Sequence, residues 1–179
     1  GVDTLLGPEM KSTGEVMGID RDFATAFWKA EDGAGCFLPR KGRVFLSVRD
    51  EDKEALGTVA QDLIGAGFEL VGTKGTASYL RELGLVAASI NKVYEGSPHV
   101  VDALRGGEIQ FVVNTISTEQ SVMDSFSLRR TALETKTPYF TTIAGAGAAA
   151  VAMVQRAKAP AEVRRLQEYH AEDLAARGG

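Results

Sequence analysis

From residue 43 onward, short apolar segments alternate with longer segments whose apolar residues recur at helical spacing. Several short segments are apolar at consecutive positions, as in residues 44–46 and 111–113. Strands of this kind must be covered on both faces, which is typical of parallel strands between two layers of helices. The alternation therefore predicts an α/β fold, a three-layer α/β/α sandwich around one parallel sheet.

The sheet is predicted to be Rossmann-like, with about five strands. These cover residues 43–48, 68–71, 85–90, 109–113 and 139–142. One helix between them has Leu56, Val59, Ala60, Leu63 and Ile64 on one face and stops at Gly65. Further helices are predicted at residues 76–83, 99–105 and 123–136, from Ala144, and from Pro160 through Val163, Leu166 and Leu174.

The first 40 residues differ from the rest. They contain loops and one short amphipathic helix, for which Asp20 is the predicted N-cap. One helix cannot bury a core, so we expect this segment to belong to a neighbouring domain or to pack on the next one. Since no initiator methionine is present, we expect a piece of a longer protein. The predicted division is 1–40 (tail and linker), 41–158 (α/β domain) and 159–179 (C-terminal helix).

Composition argues against several functional classes. A net charge of −4 over 179 residues argues against a nucleic-acid partner, because such domains carry a surplus of Lys and Arg. Cys36 is the single cysteine, so no intrachain disulfide is expected and the cytoplasm is favoured. The longest apolar stretch, residues 144–154, is too short to span a membrane. His99 and His170 lie far apart, so no metal site is predicted.

Polar side chains follow nearly every predicted strand. In open parallel sheets, ligands bind beyond the carboxyl ends of the strands. The candidates there are Ser47, Lys53, Thr73, Thr76, Asn91, Lys92, Asn114, Thr115, Ser117, Thr141 and Thr142. The turn at residues 72–76, Gly-Thr-Lys-Gly-Thr, offers backbone N–H groups and hydroxyls before a helix start, which suits an anion. The same residues could instead only form the turn and cap the helix.

Standard nucleotide motifs and catalytic constellations are missing from this edge. The turn lacks the Gly-Lys-Ser/Thr ending of a Walker A loop and is not a Gly-x-Gly-x-x-Gly fingerprint. Neither His99 nor His170 has a nucleophile nearby in sequence, and Cys36 is expected to be an inert thiol. The sequence therefore predicts a binding site for a small effector, with no catalytic residue.

Several motifs resemble the large subunit of carbamoyl phosphate synthases. They are Leu46-Ser47-Val48-Arg49, Thr73-Lys74-Gly75-Thr76, Asn91-Lys92-Val93-Tyr94-Glu95-Gly96 and Val113-Asn114-Thr115. Residues 7–18, Gly-Pro-Glu-Met-Lys-Ser-Thr-Gly-Glu-Val-Met-Gly, resemble the last stretch of that subunit's second ATP-grasp domain. The resemblance covers nearly the whole chain in the expected order. The middle motifs are shared more loosely across the methylglyoxal-synthase-like superfamily.

The resemblance implies a C-terminal allosteric domain, with the ATP-grasp tail in residues 1–40. The family's enzyme makes carbamoyl phosphate from bicarbonate, ammonia and two ATP, with Mg or Mn and K, for arginine and pyrimidine synthesis. A glutaminase small subunit supplies the ammonia, and UMP, IMP and ornithine are the implied effectors. The nucleotide phosphate would fall on Lys53, Thr73, Thr76 and Lys92, with Ser47, Asn114 and Thr115 lining the pocket. Thr141 would contact ornithine.

Two alternatives stay open. Methylglyoxal synthase, a lyase of the same superfamily, needs carboxylate bases beside a triose phosphate. Where its members carry aspartates, this chain offers Glu95 followed by Gly-Ser-Pro and, after the fourth strand, Asp124. The second alternative is a structural or oligomerisation module. Ile116 and Glu119 stand where bacterial relatives often carry small hydroxyl and basic residues, so the identity of the effector stays open.

Overall fold

A sheet of five parallel strands forms the centre of the computed structural model, which describes residues 16–115, 119–158 and 162–177. The strands are β1 (Arg43–Ser47), β2 (Glu69–Gly72), β3 (Ala87–Ser89), β4 (Phe111–Asn114) and β5 (Tyr139–Phe140). Their order is β3-β2-β1-β4-β5, and every pairing is parallel. The predicted fold class is confirmed, and the apolar strand β1 lies at the middle of the sheet.

The helices of the described residues are α1 (Phe23–Gly33), α2 (Lys53–Gly65), α3 (Lys74–Glu82), α4 (Val100–Arg105), α5 (Glu119–Glu134), α6 (Ile143–Lys158) and α7 (Leu166–Arg177). Of these, α2, α3 and α6 cover one face of the sheet, and α4 and α5 cover the other. Val44 and Leu46 pack with α2, α3 and α6, whereas Phe45 packs with α4 and α5. Successive side chains of a strand point to opposite faces, so these three residues join both halves of the core.

Helix α1 packs against α6, so the N-terminal segment contacts the α/β domain. Trp28 is buried there, and the guanidinium carbon of Arg156 lies 4.3 Å from its ring centroid. The same guanidinium donates to the carboxylate of Asp32 at 3.2 Å and to the carbonyl of Leu38 at 3.0 Å. The contact satisfies the expectation that this helix needs a neighbour to bury its apolar face. The domain boundary at residue 40 stays a prediction.

Four predicted helix starts are wrong. Helix α5 begins at Glu119, four residues before the predicted start at residue 123. The carboxylate of Asp22, not Asp20, caps α1 by accepting from the N–H of Thr25 at 2.9 Å, while Asp20 pairs with Lys29 at 2.6 Å. Helix α3 begins at Lys74, two residues before Thr76, because Thr73 is the single residue between the end of β2 and the helix. Helix α7 begins at Leu166, and the fully exposed Val163 precedes it with no core to pack against. Pro160 lies outside the described residues.

Candidate functional site

A cavity of about 120 Å³ lies beyond the carboxyl ends of β1, β2 and β4. These strands are parallel neighbours, so their ends meet at one edge of the sheet. Five predicted effector-binding residues line the cavity: Ser47, Thr73, Lys92, Asn114 and Thr115. Its other lining residues are Phe45, Val48, Arg49, Val93, Val100, Ser125 and Leu128.

The ends of β1 and β4 are joined through Thr115. Its N–H donates to the carbonyl of Ser47 at 2.9 Å, and its hydroxyl accepts from the N–H of Arg49 at 3.1 Å. The guanidinium of Arg49 donates to Asp52 at 2.8 Å, which lowers the pKa of that carboxyl, and the Thr115 hydroxyl lowers it further. Arg49 therefore adds its charge to that of Lys92 on the cavity wall, and sequence analysis did not predict Arg49 as a site residue. The only signal was its position two residues after Ser47.

Thr73 and Thr76 in the turn after β2 were both predicted to contact the phosphate, but Thr73 lines the cavity and Thr76 does not. The Thr73 hydroxyl donates to the hydroxyl oxygen of Thr76 at 3.1 Å, and that oxygen also accepts from the N–H of Val48 at 3.3 Å. Thr76 is 1% exposed and does not line the cavity. A Cβ at Gly72 would lie 3.0 Å from the carbonyl oxygen of Leu46, so glycine permits the close approach of β2 and β1. The buried Thr76 hydroxyl therefore stabilises the turn by bonding to Thr73 and to the backbone of Val48.

Lys53 lies at the start of α2 and does not line the cavity. Its ammonium pairs with the carboxylate of Asp50 at 2.7 Å and lies 5.7 Å from the centroid of the Tyr79 ring. To bind a ligand in the cavity, Lys53 would have to leave Asp50. The phosphate contact expected of Lys53 and Thr76 therefore stays a prediction.

Lys92 lies on the cavity wall, in the turn that follows β3. Its ammonium lies 5.8 Å from the centroid of the exposed Tyr94 ring. Its backbone N–H donates to the Glu95 carboxylate at 2.8 Å, and this bond is the largest cause of the lowered pKa of Glu95. The turn thus presents one flexible cation to the cavity.

Asn114, at the end of β4, is held in a buried polar network. Its side-chain amide donates to the hydroxyl of Ser125 at 2.9 Å and to the phenol oxygen of Tyr139 at 2.7 Å. Asn114 and Ser125 are both buried. Sequence analysis missed Ser125 and Tyr139, because one comes from a helix and the other from the neighbouring strand. These bonds fix the orientation of the Asn114 amide at the cavity wall.

Thr141 lies in a separate groove of about 490 Å³, formed with residues 35–36, helix α5 and residues 136–139. Arg129 and Lys136 also line this groove, and the Arg129 guanidinium carbon lies 5.7 Å from the Tyr139 ring centroid. Burial, followed by the neighbouring Glu31, raises the pKa of the Cys36 thiol in the same groove to about 12. Thr141 is therefore not brought together with the seven residues predicted for the nucleotide.

The described residues contain neither a candidate metal cluster nor a candidate membrane-spanning helix. Within these residues, no cluster of three or more His, Cys, Asp and Glu side chains could hold a metal ion. His99 accepts from the N–H of Asp102 at 3.3 Å and so caps α4. No helix within the described ranges combines the length and the apolarity needed to cross a membrane.

Comparison with known proteins gives one domain match and several longer matches. Residues 55–141 match the model of the MGS-like domain. Over 171 residues the chain is 54% identical to the carbamoyl phosphate synthase large chain of Mesorhizobium japonicum, which covers 96% of this chain and 15% of that protein. The chain is homologous to one segment of the carbamoyl phosphate synthase large chains. The family resemblance of the sequence motifs is thereby confirmed.

Distant members of the large-chain family match equally broadly. The protein of Synechocystis is 50% identical over 94% of this chain and 16% of its own length. That of Methanothrix thermoacetophila is 47% identical over 96% of this chain and 16% of its own length. The chain thus spans about 15% of the curated large chains it matches. The MGS-like match includes Thr73, Lys92 and Asn114, whereas Ser47 and Lys53 precede it.

Proposed function

We propose that this chain is the regulatory domain of a carbamoyl phosphate synthase large chain and binds a phosphorylated nucleotide, UMP or IMP. One observation carries the proposal: Lys92 and Thr73, from two different turns, meet Asn114, at the end of β4, in one cavity at the carboxyl edge of the sheet. Cations, hydroxyls and amide groups at such an edge suit a phosphate ester. None of the described residues that line the cavity is a His, Cys, Asp or Glu, so its hydroxyls have no carboxylate or imidazole base beside them in the lining.

The cavity is large enough for only part of a nucleotide. Sites that enclose a whole drug-sized ligand measure roughly 300–1,000 Å³, whereas this cavity measures about 120 Å³. The phosphate and part of the ribose would occupy it, and the base would lie over its rim. The Thr73 hydroxyl proton can rotate from Thr76 towards a ligand oxygen, so this donor costs little to redirect.

The activity of the parent enzyme is part of the proposal. The large chain would act as an ATP-dependent ligase, making carbamoyl phosphate from bicarbonate, glutamine-derived ammonia and two ATP in the cytoplasm for arginine and pyrimidine synthesis. ATP, Mg or Mn and K would bind elsewhere in the large chain, and a glutaminase small subunit would be its partner. Ornithine would bind beside Thr141, in the groove of about 490 Å³.

Regulation by this site requires a coupling free energy. An effector changes the activity of the parent only if it binds two states of the large chain with different affinity. Arg49, Thr73 and Lys92 line the cavity from the loops that follow β1, β2 and β3, and loops can shift more easily than the strands and helices of the core. The chain alone can therefore show binding, and the whole enzyme is needed to show coupling.

Calorimetric titration with UMP, IMP and orthophosphate tests the binding part of the proposal. Saturable binding is expected, and Lys92→Ala should weaken it by about 1.5–3 kcal/mol, as for a hydrogen bond to a charged group. Lys41→Ala is the matched control, because this exposed lysine precedes β1 at the opposite edge of the sheet. Absence of heat at millimolar ligand, or equal losses in both variants, would contradict the proposal and favour a structural module.

A further inference from the structure

We infer that Glu95 is a positioning residue for the effector site, because its carboxylate holds the turn carrying Lys92 against the turn carrying Thr73. The inference rests on the proposed function, since it concerns how the same cavity binds phosphate. Glu95 does not line the cavity, so it would act through Lys92 rather than on the ligand.

The carboxylate of Glu95 has one partner in each turn. One oxygen accepts from the backbone N–H of Lys92 at 2.8 Å, and the other lies 3.4 Å from the ammonium of Lys74. Lys74 directly follows Thr73, and each turn contributes one polar side chain to the cavity. The side chain of Glu95 is 22% exposed and that of Lys74 is 67% exposed, so solvent screens the ion pair, and the shorter bond to the Lys92 N–H is the stronger of the two attachments.

The segment around Lys92 is attached on both sides. Before Lys92, the N–H of Ile90 donates to the carbonyl of Gly72 in β2 at 2.9 Å, and after it the N–H of Val100 donates to the carbonyl of Asn91 at 3.1 Å. The side-chain amide of Asn91 also donates to the carbonyl of Gly96 at 3.4 Å, and Val93 packs against the core. Between Ile90 and Val100, a single short turn at residues 93–95 carries the chain. A turn of this length has little stability of its own. The Glu95 carboxylate therefore fixes the position of the Lys92 backbone, from which the side chain reaches the cavity.

Electrostatics alone would give Glu95 the opposite effect. A carboxylate near an anion site repels the ligand, so removing its charge should tighten phosphate binding. Positioning gives the reverse sign, because a displaced Lys92 reaches the ligand less often. The direction of the change in affinity therefore decides between the two effects.

The experiment compares Glu95→Ala and Glu95→Gln by calorimetry, with orthophosphate and UMP as probes. Alanine removes both bonds, whereas glutamine keeps an acceptor for the Lys92 N–H and loses only the charge. We expect Glu95→Ala to weaken binding about 3–10-fold, the range for one hydrogen bond, and Glu95→Gln to stay closer to the parent chain. Tighter binding in both variants would overturn the inference, as would unchanged binding in both.

A double-mutant cycle separates positioning from general destabilisation. In the Lys92→Ala background, Glu95→Ala should cost less than a further twofold, because the residue it positions is gone. An undiminished loss in that background would refute action through Lys92. Glu69→Gln is the matched control, since Glu69 pairs with Arg43 at 3.3 Å at the opposite edge of the sheet.

The outcomes distinguish this inference from the proposed function. If the parent chain binds neither probe, the effector site itself fails and the role of Glu95 fails with it. If the parent chain binds both probes and Glu95→Ala binds as tightly, only the inference fails. Hydrogen exchange at the Lys92 amide adds a measurement without ligand. That exchange should be faster in Glu95→Ala, and an unchanged rate would refute the bond to Glu95 as the anchor of the turn.

Discussion

Replacing Thr76 with Val should destabilise the fold, whereas the same change at Thr73 should mainly weaken ligand binding. Thr76 is 1% exposed, and its hydroxyl oxygen accepts from the N–H of Val48 at 3.3 Å and from Thr73 at 3.1 Å. Valine has nearly the same shape, so Thr76→Val removes the acceptor and leaves the packing close to its original state. The two threonines thus form a matched pair for one substitution.

The magnitude follows from the donor that loses its partner. Val48 is partly buried, and a buried donor left without an acceptor costs about 1–3 kcal/mol. The Thr73 hydroxyl adds little to this cost, because it lies at the cavity wall and can turn to water. A chain of this size loses roughly 2–4 °C of Tm per kcal/mol, so Thr76→Val should lower the Tm by roughly 2–12 °C.

Thermal and urea unfolding of the two variants measure the difference. Thr73→Val should lose less than about 1 kcal/mol of unfolding free energy, because Thr76 keeps its bond to Val48. Its affinity for orthophosphate should fall, since Thr73 lines the cavity. A Thr76→Val variant as stable as the parent chain would refute the supporting role given to Thr76. So would a Thr73→Val variant with the larger loss of stability.

Three further predictions test the surroundings of the site. Tyr139→Phe removes one acceptor of the Asn114 amide, and urea unfolding should show a loss of about 0.5–1.5 kcal/mol. The hydrogen bond from Arg49 lowers the pKa of Asp52, so its stabilising effect is complete above about pH 4 and is lost as the pH falls through the folded-state pKa. Asp52→Asn should therefore flatten the dependence of unfolding free energy on pH below about pH 4, and an unchanged slope would contradict this. Burial raises the pKa of the Cys36 thiol to about 12, so alkylation at pH 8 should be roughly 10³-fold slower than for a free thiol, and a fast reaction would refute it.

The strands were predictable because a buried parallel strand needs apolar residues on both faces. Residues 44–46 and 111–113 carry that pattern, and all three of Val44, Phe45 and Leu46 are buried. Helix starts were harder to predict, because a cap depends on local geometry. Asp20 and Asp22 are equally good capping residues in sequence, and only the pairing of Asp20 with Lys29 leaves Asp22 for the cap.

The candidate site was predictable where a side chain directly follows a strand. Ser47, Asn114 and Thr115 stand at or just beyond strand ends, and parallel pairing brings those ends together. The position of the Thr76 side chain was not predictable, because α3 begins at Lys74 and turns this side chain back towards Val48, and its contact with a ligand stays a prediction. Ser125 reaches the site from α5 through tertiary packing, which no local pattern encodes.

The most direct test of the effector site is an amide NMR titration of the ¹⁵N-labelled chain with UMP. Binding in the cavity predicts the largest shift changes in residues 47–49, 73–74, 92–93 and 114–115, with saturation. In the Lys92→Ala variant, the midpoint of the titration should move to a higher UMP concentration, and the same residues should still show the largest shift changes. Shift changes confined to the groove around Arg129 and Thr141, or none at millimolar UMP, would contradict a nucleotide site at the carboxyl edge of the sheet.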